Sequence, residues 1–203
     1  MKHIFQKGSN PAKPTLLLLH GTGGNEFDLL PIAEIIDPEA SILAVRGNVI
    51  ENGMPRFFKR LAEGVFDEED LVFRTKELNS FLDEAAQTYR FDRNSVIAIG
   101  YSNGANIAAS LLFHFRDALN GAILHHPMVP RRGMDLPDLS GKNVFIAAGK
   151  RDQICSPEES IELKTFLENN NANVHLHWEN GGHELTLSEV QAASNWYRQL
   201  YQK

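Results

Sequence analysis

Val96-Ile97-Ala98-Ile99-Gly100-Tyr101-Ser102-Asn103-Gly104-Ala105-Asn106-Ile107-Ala108-Ala109 is the stretch on which the fold turns. Its first four residues are wholly apolar, as a parallel strand buried on both faces requires. Its last five predict the start of a helix. Between them, Gly100-x-Ser102-x-Gly104 reads as a tight strand-to-helix turn that lifts the Ser102 hydroxyl above the sheet. Glycines on either side of the serine remove side chains that would collide across the turn. The following helix aims its first N–H groups at negative charge developing beside Ser102. The bland alternative is a glycine-rich turn holding an idle serine, but the flanking strand and helix are the context that nucleophilic chemistry needs.

Outward from this stretch, short apolar runs alternate with longer amphipathic ones. That pattern predicts an α/β fold with a mainly parallel central sheet and helices on both faces. Strands are predicted at Thr15–Leu19, Ser41–Val45, Ser95–Ile99, Gly121–Leu124, Val144–Ala148 and Val174–Trp178, with an edge strand near Lys2–Gln6. Helices are predicted over 26–36, 70–89, 103–116, 157–171 and 187–201. Ser156-Pro157-Glu158-Glu159 and Thr186-Leu187-Ser188-Glu189 carry the serine or threonine and the glutamate of a helix-capping box. Arg46 to Glu69, with Gly47, Gly53, Pro55 and Gly64, reads as a long excursion of the kind that forms binding loops or lids.

At 203 residues the chain is expected to form one domain, 1–203, with a single covered core. A net charge of −6 supplies no basic surplus to neutralise phosphates, which argues against a nucleic-acid partner. The lone cysteine, Cys155, excludes an internal disulfide and reads as a bystander. The start of the chain lacks the apolar run of a signal peptide, and Leu16–Leu19 is too short to span a bilayer. A cytoplasmic protein with no membrane partner is the expectation.

A hydroxyl needs a base to become a useful nucleophile. On a sheet of this type the partners follow the serine on loops at the carboxyl ends of later strands, acid first and histidine second. Asp152 lies just past the strand Val144–Ala148, and His183 just past the strand ending at Trp178. Ser102 is therefore read as nucleophile, His183 as general base and Asp152 as the residue that orients the histidine. Closing a turn is the bland alternative for Asp152; Ser156, as a cap, weakens it. His20-Gly21-Thr22-Gly23-Gly24 follows the first long strand, where an oxyanion loop belongs. The backbone N–H groups of Thr22 and Asn103 are the candidate donors, with His20 bracing the loop.

Four motifs carry a resemblance: Leu19-His20-Gly21-Thr22-Gly23-Gly24, Gly100-Tyr101-Ser102-Asn103-Gly104, Gly149-Lys150-Arg151-Asp152-Gln153-Ile154-Cys155-Ser156-Pro157 and Gly181-Gly182-His183-Glu184. Together they resemble the phospholipase/carboxylesterase family of α/β-hydrolases, which includes acyl-protein thioesterases and lies close to the dienelactone hydrolases. More narrowly, the chain is similar to bacterial carboxylesterases associated with quinone and hydroquinone stress. The resemblance implies an α/β-hydrolase fold without a cap domain and a serine carboxylesterase acting on small esters without a cofactor. It is compatible with a homodimer. Two departures stand out: acyl-protein thioesterases carry glutamine where Asn103 stands, and dienelactone hydrolases carry cysteine where Ser102 stands.

Asn52-Gly53-Met54-Pro55-Arg56-Phe57-Phe58 resembles a substrate-side segment of the same family. Phe57 or Phe58 is read as lining the pocket and Arg56 as meeting an acidic substituent, against the alternative that both rings are core. Met128, after the fourth strand, borders the pocket or packs in the core. His175 and His177 share a strand face, but no third ligand points to a metal site. A thioesterase or lysophospholipase would use the same residues, and a ligand receptor could occupy the same scaffold without turnover.

Overall fold

A computed structural model describes residues 1–201; Gln202 and Lys203, the end of the expected domain, lie outside the described residues. In chain order the first half contains β1 (His3–Gln6), β2 (Thr15–Leu19), α1 (Leu30–Ile36) and β3 (Ile42–Val45). Four short strands follow, β4 (Val49–Glu51), β5 (Met54–Arg56), β6 (Arg60–Ala62) and β7 (Val65–Phe66), and then α2 (Glu68–Tyr89). The second half holds β8 (Val96–Tyr101), α3 (Asn103–His114), β9 (Gly121–His125) and β10 (Asn143–Gly149). It closes with α4 (Pro157–Asn169), β11 (Asn173–Glu179) and α5 (Leu187–Tyr201).

Seven strands form the main sheet in the order β1-β3-β2-β8-β9-β10-β11. β1 runs antiparallel to β3, and every other pairing is parallel. All the carboxyl ends of the parallel strands therefore meet at one edge, where ligands of open α/β sheets bind. β11 closes the opposite side from β1, and among the described residues no strand lies beyond it.

Side chains alternate across a strand, and β2 shows the consequence directly. Leu17 and Leu19 join the core cluster under α2, α3 and α4, whereas Leu16 and Leu18 join the cluster under α1 and α5. Both faces of β2 are thus dry, and truncating one such leucine to alanine costs about 2–5 kcal/mol. α3 is buried along almost its whole length, which explains its run of alanine, leucine and isoleucine without a polar face. Its buried Ser110 hydroxyl pairs with that of Thr75 on α2 at 2.7 Å. Among the described residues no helix is long and apolar enough to cross a membrane.

Local chemistry moved several predicted boundaries. The first helix, expected over 26–36, begins only at Leu30, because Asn25 Oδ1 accepts from Phe27 N–H and closes a turn instead. Thr186 and Glu189 form the reciprocal capping box, at 3.0 and 3.3 Å. Ser156 occupies the N-cap of α4, but its side chain makes no capping bond. The excursion is not featureless: β4 pairs with β5, and β6 with β7, as two antiparallel hairpins. Asn52 and Gly53 connect the first pair with φ of 50° and 79°, the two positive angles of a type I′ turn. An Asn-Gly pair is the strongest short-range signal for that hairpin.

Candidate active site

Ser102 sits between β8 and α3 with φ 51° and ψ −114°, a conformation few non-glycine residues adopt. The surrounding glycines make it attainable. A Cβ on Gly104 would lie 1.9 Å from the Leu19 carbonyl oxygen, and one on Gly100 would lie 2.6 Å from that of Gly104. The turn therefore packs helix directly on strand, and the serine is held at the sheet's carboxyl edge.

Three later strands bring their own residues to this edge. His126 follows β9, Asp152 follows β10 and His183 follows β11. The Ser102 hydroxyl donates to His183 Nε2 at 2.8 Å, and His183 Nδ1–H donates to Asp152 Oδ2 at 2.8 Å. The sequence thus places 102, 183 and 152 in one hydrogen-bonded series although 81 and 31 positions separate its successive members. Tyr101 O–H donates to the His183 carbonyl at 2.7 Å and steadies the loop from beneath. Burial, with the nearby Glu189 and Asp152 charges, pushes the Tyr101 phenol up to about 12, so it stays a donor.

Asp152 divides its work between its two oxygens. Oδ1 accepts from the Ile154 and Cys155 N–H groups, each at 2.8 Å, and so closes its own turn. Oδ2 accepts from His183 and also from His126 Nδ1–H at 3.0 Å. The turn-closing role offered as an alternative is therefore present beside the hydrogen bond to His183. Burial alone would raise the Asp152 carboxyl, but the Cys155 N–H, His183 and the Ile154 N–H together hold it below its ordinary range.

Thr22 and Asn103 flank the serine on a cleft of about 220 Å³ that Ser102, His183, Met128 and Phe66 also line. Neither backbone N–H has a backbone acceptor among the described residues. His20 braces the loop: its Nδ1–H donates to the Gly21 carbonyl at 2.6 Å and its Nε2 accepts from Gly47 N–H at 3.1 Å. Asn103 Oδ1 accepts from Phe57 N–H at 2.7 Å, tying the excursion to the turn that carries Ser102.

The substrate-side expectations need correction. Phe57 and Phe58 are buried in the core cluster beneath α2 and α3, and neither borders the cleft; Phe66 on β7 does. Phe57 stacks at a tilt on His20, and Phe58 meets Phe66 edge-on, so both rings support the site from behind. Arg56 does border the cleft, but its guanidinium is engaged. It pairs with Glu51 at 3.2 Å, donates to the Phe58 carbonyl at 3.2 Å and donates to Thr22 Oγ1 at 2.7 Å. Such a group braces the loop that carries Thr22 rather than standing free for an acidic substituent. Met128 borders the cleft as expected, its N–H fixed by Asn106 Oδ1 at 2.7 Å. Cys155 also lines the cleft, and burial pushes its thiol well up, away from the thiolate.

Two residues of this site escaped the sequence reading. His126 is buried, adopts φ 53° and lies between Asp152 and Glu189, with Nε2–H donating to Glu189 Oε2 at 3.0 Å. Glu189 is read from sequence only as a cap, yet the same carboxylate reaches into the site from the start of α5. Their signals were present: a histidine one residue past a strand end, and an acid at the first turn of the helix facing it. Donor atoms of His126, Asp152 and His183 also lie within 4.8 Å of one another, close enough to share an ion. Their mutual distances of 2.8 and 3.0 Å are those of imidazole–carboxylate hydrogen bonds.

Comparison with known proteins agrees with this architecture. The dienelactone hydrolase family model matches residues 59–195. A Bacillus subtilis (strain 168) protein named "Putative hydrolase MhqD" is 61% identical over 98% of both chains. The crystal structure of a Bacillus cereus carboxylesterase superposes with a TM-score of 0.97 at 73% identity, covering 98% of this chain and 94% of that one. A Mesorhizobium loti carboxylesterase gives 0.87 at 28% identity, covering 93% and 89%.

Proposed function

The chain belongs to the dienelactone hydrolase family, and from that premise we propose that it is a serine carboxylesterase that cleaves small carboxylic esters through an acyl-enzyme. The single observation that carries this reading is the continuous series from the Ser102 hydroxyl through His183 to Asp152, with 2.8 Å at each step. His183 Nδ1–H is committed to Asp152, which leaves Nε2 with a lone pair facing the hydroxyl. That is the tautomer a general base requires.

In the proposed cycle His183 Nε2 takes the Ser102 proton as Oγ attacks the ester carbonyl. The Thr22 and Asn103 N–H groups receive the oxyanion, a contribution on the order of 10²–10³ per donor in rate. His183 then protonates the departing alcohol, and water, activated by the same nitrogen, releases the acid from Ser102. Asp152 stabilises the imidazolium that exists between these steps. Small acyl groups suit a cleft of about 220 Å³ whose apolar lining includes Met128, Phe66 and Ile154.

Hydrolysis of a panel of short-chain esters by wild type and Ser102→Ala tests the proposal. Wild-type turnover is expected, with a loss on the order of 10⁴-fold or more in the variant. An activated phosphonate is expected to label Ser102. Equal turnover by both proteins, or an adduct located elsewhere, would end the reading. Thioesters in the same panel separate a thioesterase from an esterase.

A further inference from the structure

The proposed cycle leaves His126 without a task, although no side chain in the site is more completely enclosed by charge. Its Nδ1 lies 3.0 Å from Asp152 Oδ2, and its Nε2 lies 3.0 Å from Glu189 Oε2. Both partners are carboxylates, which accept. Each ring nitrogen must then carry a proton, and a ring with two N–H groups is an imidazolium. We propose that His126, held as an imidazolium between Asp152 and Glu189, is a positioning residue that divides the Asp152 carboxylate between two histidines and sets the pH below which His183 ceases to act as a base. This rests on the assignment of Ser102, His183 and Asp152 to catalysis.

The surroundings fix the charge. His126, Asp152 and Glu189 are all buried. Glu189 is anchored as the third residue of a capping box, where Oε1 accepts from Thr186 N–H at 3.0 Å and the amino end of α5 favours an anion. Burial alone would raise the Glu189 carboxyl, but the neighbouring imidazoles, His126 by direct hydrogen bond, hold it below its ordinary range. Burial likewise opposes charge on His126, and the hydrogen bonds and charges of Glu189 and Asp152 overcome it and raise its affinity for the proton. The other groups facing the ring are Tyr101, edge-on at 6.1 Å, His183 at 5.3 Å between centroids, and Glu184 on the exposed side of the loop. His125 Nδ1 lies 3.5 Å from Glu189 Oε1, too long and too poorly aimed to count as a hydrogen bond.

Charge accounting shows what this does for catalysis. At rest Asp152 and Glu189 contribute two negative charges and His126 one positive, so the buried group totals −1 with His183 neutral. When His183 takes the Ser102 proton, the total becomes zero. Without the His126 charge the same transfer would run from −2 to −1, so the imidazolium halves the resting negative charge that His183 faces. The His126 charge, about 5 Å from His183 between ring centroids, also repels a second positive charge there.

The acid limb of kcat/KM against pH reads this effect. In His126→Gln the positive charge is gone while both carboxylates remain, so protonation of His183 becomes easier. The limb is expected to move up by about one pH unit or more. Adding Glu189→Gln removes one negative charge and is expected to return the limb part of the way. A side chain that only filled space would lower kcat or stability and leave the limb in place. In wild type at pH 8, nitrogen-15 NMR is expected to show both ring nitrogens of His126 protonated, the resonance being assigned through contacts to Tyr101 and His183. That measurement stands even where His126→Gln does not fold. A neutral His126 ring, or a limb displaced by less than about 0.3 unit in an active variant, overturns the proposal. Ser102→Ala with wild-type turnover would instead overturn the catalytic assignment, whereas an inactive Ser102→Ala beside an unmoved limb overturns only the role of His126.

Discussion

Two regions border the cleft, and they are built on opposite plans. The carboxyl edge of β8 to β11 presents one polar side chain per strand, Ser102, His126, Asp152 and His183, each fixed by the strand that precedes it. The excursion between β3 and α2 brings Arg56, Arg60 and Glu63 to the cleft wall, with both arginines paired to Glu51. It also acts from the far side: Pro55 accepts from Gly23 N–H at 2.9 Å, Arg56 holds Thr22, and Phe57 N–H holds Asn103. In the proposed cycle the reacting groups come from the sheet, and the hairpins align the loop that would receive the oxyanion. The lesson is that proximity to a cleft does not reveal whether a residue touches substrate or supports one that does.

The contrast can be broken at its strongest point first. Asp152→Asn keeps the shape of the turn but loses the charge that stabilises the His183 imidazolium, and kcat is expected to fall on the order of 10³–10⁴-fold. A fall below tenfold would remove the carboxyl edge from its position as the reacting region. Next comes Phe57→Ala on the hairpin side. It empties a buried ring position and is expected to lower unfolding free energy by about 3–5 kcal/mol in urea titrations, with the ranking of ester substrates unchanged. A reordered ranking would make Phe57 a pocket residue after all. The smallest effect is expected of Arg56→Gln, which frees Thr22 Oγ1 and leaves Glu51 to Arg60, its other partner at 2.8 Å. A loss of about tenfold in kcat, equal for acidic and neutral esters, fits a brace. A loss confined to acidic esters would show the guanidinium meeting substrate.

The same contrast governs what could be read without coordinates. The sheet was legible because burial on both faces demands unbroken apolar runs, such as Leu16–Leu19 and Val96–Ile99, and such runs are visible letter by letter. The meeting of Ser102, Asp152 and His183 was legible because each follows a parallel strand and so lies at the same edge of the sheet. The two hairpins were missed because their strands are only two or three residues long and Asn52-Gly53 was read within a loop rather than as a turn. Pocket and core stayed open for Phe57 and Phe58 because a resemblance to a substrate-side segment says nothing about which way a ring points. What Arg56 and Glu189 touch was not legible for a different reason. Their partners, Thr22 and His126, lie 34 and 63 positions away, and no local pattern encodes such a meeting.

β11 differs from the strands it accompanies in a way that bears on how the protein behaves when crowded. β2 is buried at all five positions, but no residue of β11 is fully buried, and beyond it a row of backbone N–H and C=O groups has no ladder partner. Such a margin is a template on which a second polypeptide could add a strand. Asn173, His175, His177 and Glu179 occupy every second position along it, so an incoming strand finds a hydrophilic stripe on that face. Valine in place of both histidines would convert this guarded margin into a sticky one, and the cost would appear as fibres or precipitate rather than as lost chemistry.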